Sequence, residues 1–238
     1  TPDQIVPVPM DLSVVFEDEH VLVIDKPAGM PVHPSQGHYE NTLANGIAWY
    51  YRNEATPFVF RAVNRLDRDT SGLVLLAKNP YSSCVLSDAV KDHTIHREYA
   101  AIVSGKTDAS GTIDLPIARK DGSTIERVCD PERGETAVTH YRTFAYNKDA
   151  DISFIRLLLE TGRTHQIRVH MKAIGHPLPG DFLYCPDYRF IDRQPLHSTY
   201  LRFSHPVTGE KLEFSASLPE DMRKLFPDIK NPSGPVFF

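Results

Sequence analysis

The stretch "RAVNRLDRDTSGLVLLAKN", residues 61–79, sets between two apolar runs a centre, Asn64 to Gly72, that holds two Arg, two Asp, a Thr and a Ser. Asp, Thr, Ser and Gly are turn formers and an Arg beside an Asp is ordinary surface pairing, so an exposed turn explains the composition cheaply. A second reading takes the spacing literally. On an extended backbone Asp67 and Asp69 share a face with Arg65, while Asn64, Leu66 and Arg68 face the other way. An aspartate held beside an arginine stays ionised and can act as a nucleophile. The D-x-D spacing alone also suits a metal site, a sugar-nucleotide site or an aspartyl-phosphate enzyme. The last matches poorly: its Asp ends a buried apolar strand with Thr or Val four residues on, whereas position 71 is Ser and the lead-in is "RAVNRL".

Working outward, "FVFRAV" and "GLVLLAK" flank this centre as strand candidates, and "YSSCVLSDAVKD" after Pro80 reads as a helix. Upstream, "SVVFEDEHVLVIDKPAG" reads as two short strands broken at the acids and ended by Pro27 and Gly29. "NTLANGIAWYY" reads as a helix with Asn41 as N-cap. Downstream, "REYAAIVSG", "TAVTHYRTFAY" and "DISFIRLLLETG" are strands, the last nearly continuous in apolar residues and therefore central. A looser region at 104–136, rich in Gly, Asp and Lys, separates the first from the second. "TGRTHQIRVHMKAIGHP" is helical from Thr164 to about Ile174, "LHSTYLRFSHPVTGEKLEFSA" is a hairpin, and "SLPEDMRKLF" is a closing helix with Ser217 as cap. No repeat or linker divides the chain. The pattern predicts an α+β fold on a largely antiparallel sheet.

Composition bounds the function. With 41% apolar and 24% charged residues among 238, the chain reads as a globular protein with a real core. Its net charge of −5 excludes a protein that coats nucleic acid indiscriminately, since that affinity comes from phosphate neutralisation. Locally the balance differs: 156–176 carries Arg156, Arg163, Arg168, Lys172 and three His against one acid, Glu160, which predicts a positive stripe on an acidic body. Three widely spaced cysteines fit neither a disulfide framework nor a zinc cluster, and predict free thiols in a reducing cytoplasm. No apolar run approaches the length of a membrane span.

Two further segments carry chemistry. The helix from Thr164 places His165, Arg168, Val169 and Lys172 on one face and Ile167, Met171 and Ile174 on another, so one face is built to pack and the other to meet charge or solvent. "ETGRT" brings Arg163 and Thr164 to its N-terminus, where free N–H groups favour a phosphate. In "HREYAAIVSG", Tyr99 is either a core residue or, if it faces a cleft, a ring on which a base stacks. "DKPAGMPVHP" reads first as a stiff turn, with Lys26 as a candidate backbone contact. "GTIDLPIARKDGSTIERVCDPERG" is equally an exposed hairpin or a mobile gripping loop.

Together these segments resemble the RluA-type pseudouridine synthases, which isomerise uridine in ribosomal or transfer RNA. "VLVIDKPAGMPVHP" resembles that family's first motif, "NRLDRDTSGLVLLAKN" its catalytic motif and "REYAAIV" its tyrosine strand. "LETGRTHQIRVHMKAIGHPLPGD" and "LHSTYLRFSHPVTGE" resemble the two that follow. The family usually has H-R-L-D where this chain has Asn64, which puts a substrate contact in question. The resemblance implies a catalytic domain with a large, mainly antiparallel mixed sheet flanked by helices and loops around a central cleft. It makes Asp67 the catalytic aspartate, attacking a flipped uridine at C1′ or C6, or assisting loss of the C2′ proton through a glycal. Tyr99 becomes the tyrosine that packs on the base, Arg168 the arginine that pairs with the carboxylate, and Arg65 the arginine that displaces the base. Lys26, Arg163, Thr164, His165 and Lys172 are the expected RNA-binding residues. Residues 1–238 are expected to form one catalytic domain with no S4 domain. A structured ribosomal or transfer RNA is the expected partner, for a cytoplasmic monomer that needs no cofactor. A noncatalytic RNA-binding module on the same scaffold, hinted at by Asn64, and an aspartyl-phosphate phosphotransferase are the competing readings.

Overall fold

The computed structural model describes residues 5–56, 58–230 and 232–237. The chain divides into two compact units, Thr1–Ile95 with Leu201–Ala216, and His96–Tyr200 with Ser217–Phe238. The fold is α+β on a large, mostly antiparallel sheet, as the sequence predicts.

In the first unit β1 (Ser13–Glu17), β2 (Val21–Lys26) and β3 (Ser71–Ala77) pair antiparallel in sequence order. Beyond β3 lies the Leu201–Ser204 part of β10 (Leu196–Ser204), with β11 (Lys211–Ser215) paired to it. Val21, Val23, Leu73, Leu75 and Ala77 turn to one face and pack with Leu86 of α2 (Pro80–Lys91), Leu201, Phe203 and Ala216. The alternate residues Leu22, Ile24, Val74 and Leu76 are equally buried. Both faces are covered, which is why "VLVI" and "LVLL" read as unbroken apolar runs.

Helix α1 (Leu43–Tyr50) is capped by Thr42 rather than Asn41. Thr42 Oγ1 accepts the Asn45 N–H at 3.3 Å, and the Asn45 side chain accepts the Thr42 N–H at 3.0 Å. Asn45 serves as the reciprocal cap that Glu or Gln usually supplies, and its amide also donates to Val6 and Tyr39 carbonyls. "FVFRAV" is not a strand. It meets β3 at an isolated Ala62–Leu76 bridge, flanked by the Val63 N–H on the Leu75 carbonyl at 2.8 Å and the Ala77 N–H on the Arg61 carbonyl at 2.9 Å. Beyond this bridge the Asn64 side chain takes over the pairing with β3.

The second unit is ordered as the Leu196–Tyr200 part of β10, then β4 (His96–Ser104), β9 (Ile152–Leu159), β8 (Val138–Asn147) and β5 (Ser110–Asp114). β9 lies between β4 and β8, the central place its apolar run predicts. The region read as loose holds three short strands, β5, β6 (Ile117–Arg119) and β7 (Arg127–Cys129). Their few residues mix polar and apolar types and are mostly exposed or half-buried, so no alternation showed in the sequence. Helix α3 (Gln166–Ala173) starts two residues later than expected, because His165 takes a left-handed backbone, φ +58°, that cannot open a helix. Helix α4 (Glu220–Arg223) is a single turn capped at Pro219, not at Ser217.

Strand β4 separates two environments. Ala100 and Ile102 pack with Phe154, Leu218, Met222 and Phe226. Glu98, on the same side, is fully buried and pairs with Arg156 at 2.8 Å and His96 at 2.7 Å, while accepting the N–H groups of Val236 and Phe237 at 3.0 Å. Arg156 in turn donates to the Pro232 carbonyl, which straps residues 232–237 across the strand. Arg97 and Tyr99 stand on the opposite side.

Candidate active site

The expected face alternation holds from Asn64 to Asp67: Asn64 and Leu66 are buried, Arg65 is exposed and Asp67 partly so. It fails at Asp69. The Thr70 N–H donates to the Asp67 carbonyl at 3.1 Å, closing a turn, and Arg68 clamps Asp69 through two 2.9 Å bonds. Asp67 and Asp69 therefore do not share the face of an extended strand, and Asp69 has a supporting part.

The turn is fastened from two sides. Its Arg68 carbonyl accepts the Gly29 N–H at 2.9 Å and the Lys26 ammonium at 3.0 Å. Gly29 adopts φ +85°, which glycine reaches without strain, so "DKPAG" is the tight turn its composition indicates. Lys26 is fully buried and donates also to the Pro27 carbonyl. These bonds make Lys26 a fastener of the turn. On the other side Asn64 donates to the Leu73 carbonyl at 3.1 Å and accepts the Leu75 N–H at 2.7 Å. Its carboxamide thus stands in for a peptide group beside β3, and the departure from the family's His has a structural explanation. Close by, His33 lies edge-on to Phe60; burial, aided by the charge of Arg65, holds its pKa below the usual histidine value.

In the second unit α3 departs from the amphipathic helix expected. Gln166 to Met171 are all buried, and Arg168, 2% exposed, forms a bidentate ion pair with buried Asp181 at 2.7 and 2.8 Å. Asp181 also accepts the Leu183 and Tyr184 N–H groups. The loop can bring it there because Gly180, at φ +95°, lies where a Cβ would come within 2.3 Å of the Arg193 carbonyl. The Tyr184 ring then collects the face that sequence grouped together. Arg168 lies 5.0 Å and Lys172 5.7 Å from its centroid, Val169 packs on it, and its hydroxyl meets His165 Nδ1 at 2.7 Å while accepting the Arg127 N–H. Of that face only Lys172 is exposed.

The other candidates spread outward from this core. Arg163 and Thr164 are exposed, Arg163 pairing with the Glu135 carboxylate and donating to the Thr136 carbonyl. Tyr99, 5% exposed, projects from β4 opposite Leu157 of β9. The predicted positive stripe is largely internal, since Arg156 and Arg168 are buried against Glu98 and Asp181 and His170 is buried too. Asp181 and Tyr184 were missed in the sequence: a lone Asp after Gly and a Tyr in a loop carry no periodic signal.

The comparisons with known proteins agree with these motifs. A family model described as RNA pseudouridylate synthase matches residues 20–173. An uncharacterized RNA pseudouridine synthase of Bacillus subtilis, YjbO, is 47% identical over 218 residues, covering 91% of this chain and 76% of the relative. The ribosomal large subunit pseudouridine synthase D of Zymomonas mobilis is 42% identical, covering 92% of this chain and 73% of its own. Among solved structures, human RNA pseudouridylate synthase domain containing 1 superposes with a TM-score of 0.72 at 25% identity, covering 87% of this chain and 83% of that one. With the family motifs in register along the sequence, the chain belongs to the RNA pseudouridylate synthase family, in its RluA-type branch, and is an isomerase that makes pseudouridine in RNA.

Proposed function

We propose that the substrate is ribosomal RNA of the large subunit and that Asp67 is the nucleophile. The observation that carries the second part is the Asp67 turn: a partly exposed carboxylate on a loop locked by Lys26, Gly29 and Asn64 is held in place before substrate arrives. The target carbons are inaccessible in a stacked helix, so the uridine is flipped out, and exposed Arg65 is suited to fill the gap it leaves. In the C1′ route the Asp67 carboxylate bonds to C1′ as the C1′–N1 bond breaks, the uracil turns, a C1′–C5 bond forms as the C1′–O bond to Asp67 breaks, and the C5 hydrogen leaves to solvent while N1 gains a proton. Tyr99 supports the base in this reading, and Arg168 is the guanidinium that keeps the catalytic carboxylate ionised. Arg163, Thr164 and Lys172 contact the RNA, with His165 positioned by Tyr184.

The ribosomal target rests on the relatives named for the large subunit, at about 40% identity over most of this chain. The free cysteines fit a reducing cytoplasm, where that RNA resides. A noncatalytic module loses its one hint, because Asn64 is accounted for by its bonds to β3. Mapping pseudouridine in total RNA from cells with and without the gene tests the target: loss of specific sites in large-subunit RNA is expected. Loss confined to transfer RNA would contradict it.

A further inference from the structure

Arg97 opens the "REYAAIV" strand and is only 8% exposed. Among the described residues its guanidinium makes no hydrogen bond or ion pair, and its Nε is buried without a partner. A guanidinium with its Nε buried and unpaired carries a desolvation cost, which a counter-charge arriving from outside would offset.

The acids next in sequence to Arg97 and to Gly162, and the partner of Arg163, are committed elsewhere. Glu98 points to the other side of β4 and is held by Arg156, His96 and two N–H groups. Glu160 takes His140, and Glu135 takes Arg163. What lies against the guanidinium is Gly162: a Cβ there would stand 3.3 Å from Nη1 and 3.5 Å from Nη2. Gly162 is exposed, so the fork of the arginine faces a gap in the surface that any larger side chain would fill. That gap belongs to the loop leading into α3, whose first turn holds no acid and whose N-cap, His165, offers no side-chain capping bond. The helix end and the arginine therefore present positive charge together, and by strand alternation Arg97 emerges on the same side of β4 as Tyr99.

We propose that Arg97 is a phosphate clamp: the buried guanidinium receives its counter-charge from a backbone phosphodiester of the bound RNA seated over Gly162 beside the N-terminus of α3. The fork matches two phosphate oxygens, and the missing side chain at 162 leaves room for them. The inference rests on the reading of this protein as an RNA-modifying enzyme and adds a binding residue to it.

The test compares wild type with Arg97→Met and Gly162→Val, using unmodified large-subunit ribosomal RNA transcript as probe. Affinity is measured across a series of KCl concentrations, alongside tritium release from transcript carrying 5-tritiated uridine. Arg97→Met is expected to bind about tenfold more weakly, to lower the slope of log affinity against log salt by about one, and to melt no lower than wild type. Gly162→Val, a surface change that keeps the arginine, is expected to lose the same increment of slope. An unchanged slope in both variants, while the wild type turns the transcript over, would overturn the clamp alone. A wild type that neither binds nor converts the transcript would overturn the functional reading and the clamp with it.

Discussion

Asn64 departs from the family's H-R-L-D, which put a substrate contact in question, and both ends of its amide are bonded to β3. Replacing it with Leu leaves the Leu73 carbonyl and Leu75 N–H without partners in a buried place, which costs about 2 kcal/mol or more. Urea unfolding of Asn64→Leu checks this, and wild-type stability would refute it. Arg168 is the second case. The family role pairs it with the catalytic carboxylate, and the structure adds Asp181, equally buried. Arg168→Ala strands the Asp181 carboxylate and is expected to cost roughly 3–5 kcal/mol in the same assay. A mutant that lost activity but kept full stability would contradict the buried pair.

At the level of elements, long apolar patterns were readable and polar burial was not. β2, β3, β4 and β9 announce themselves because their alternation or continuity comes from packing. Helix α3 was found, but its character was misjudged, because the partners that bury its polar residues lie far along the chain: Asp181 for Arg168, and Thr139 and Leu115 for His170. Periodicity cannot show such pairings. For His170 the consequence is measurable. The Leu115 carbonyl can only accept, so Nε2 carries the proton and Nδ1 accepts from Thr139. Burial is the main cause that holds its pKa below the usual value, as it does for His33. The folded state therefore binds fewer protons than the unfolded chain, and stability is full above about pH 6.5 and declines as pH falls below it. His170→Gln should flatten this decline in denaturation series taken at successive pH values; an identical pH profile would show that His170 does not contribute.

Across the whole molecule, the chain forms two compact units, each built from segments that are not consecutive. The first takes Leu201, Phe203 and Ala216 into the core built on Val23 and Leu75. A fragment ending at Ile95 would leave that face of β3 uncovered. It is expected to lack a cooperative unfolding transition by circular dichroism, and a well-folded fragment would contradict this account of the core. The same long-range construction explains the charge pattern. The basic stretch 156–176 looked like a surface stripe, but two of its arginines serve the interior and only Arg163 and Lys172 among its Arg and Lys are exposed, on a chain of net charge −5. Such a surface suits selective rather than indiscriminate RNA binding.

The motif at 64–72 remains the centre of the account, as a locked turn that presents Asp67. The most direct test is tritium release from 5-tritiated uridine in large-subunit ribosomal RNA by wild type and Asp67→Asn at equal concentration, with folding and RNA binding measured on the same preparations. Wild type is predicted to release tritium at specific sites, and Asp67→Asn to fold and bind RNA while releasing none above background. Turnover by Asp67→Asn at the wild-type rate would contradict the assignment of Asp67 as nucleophile.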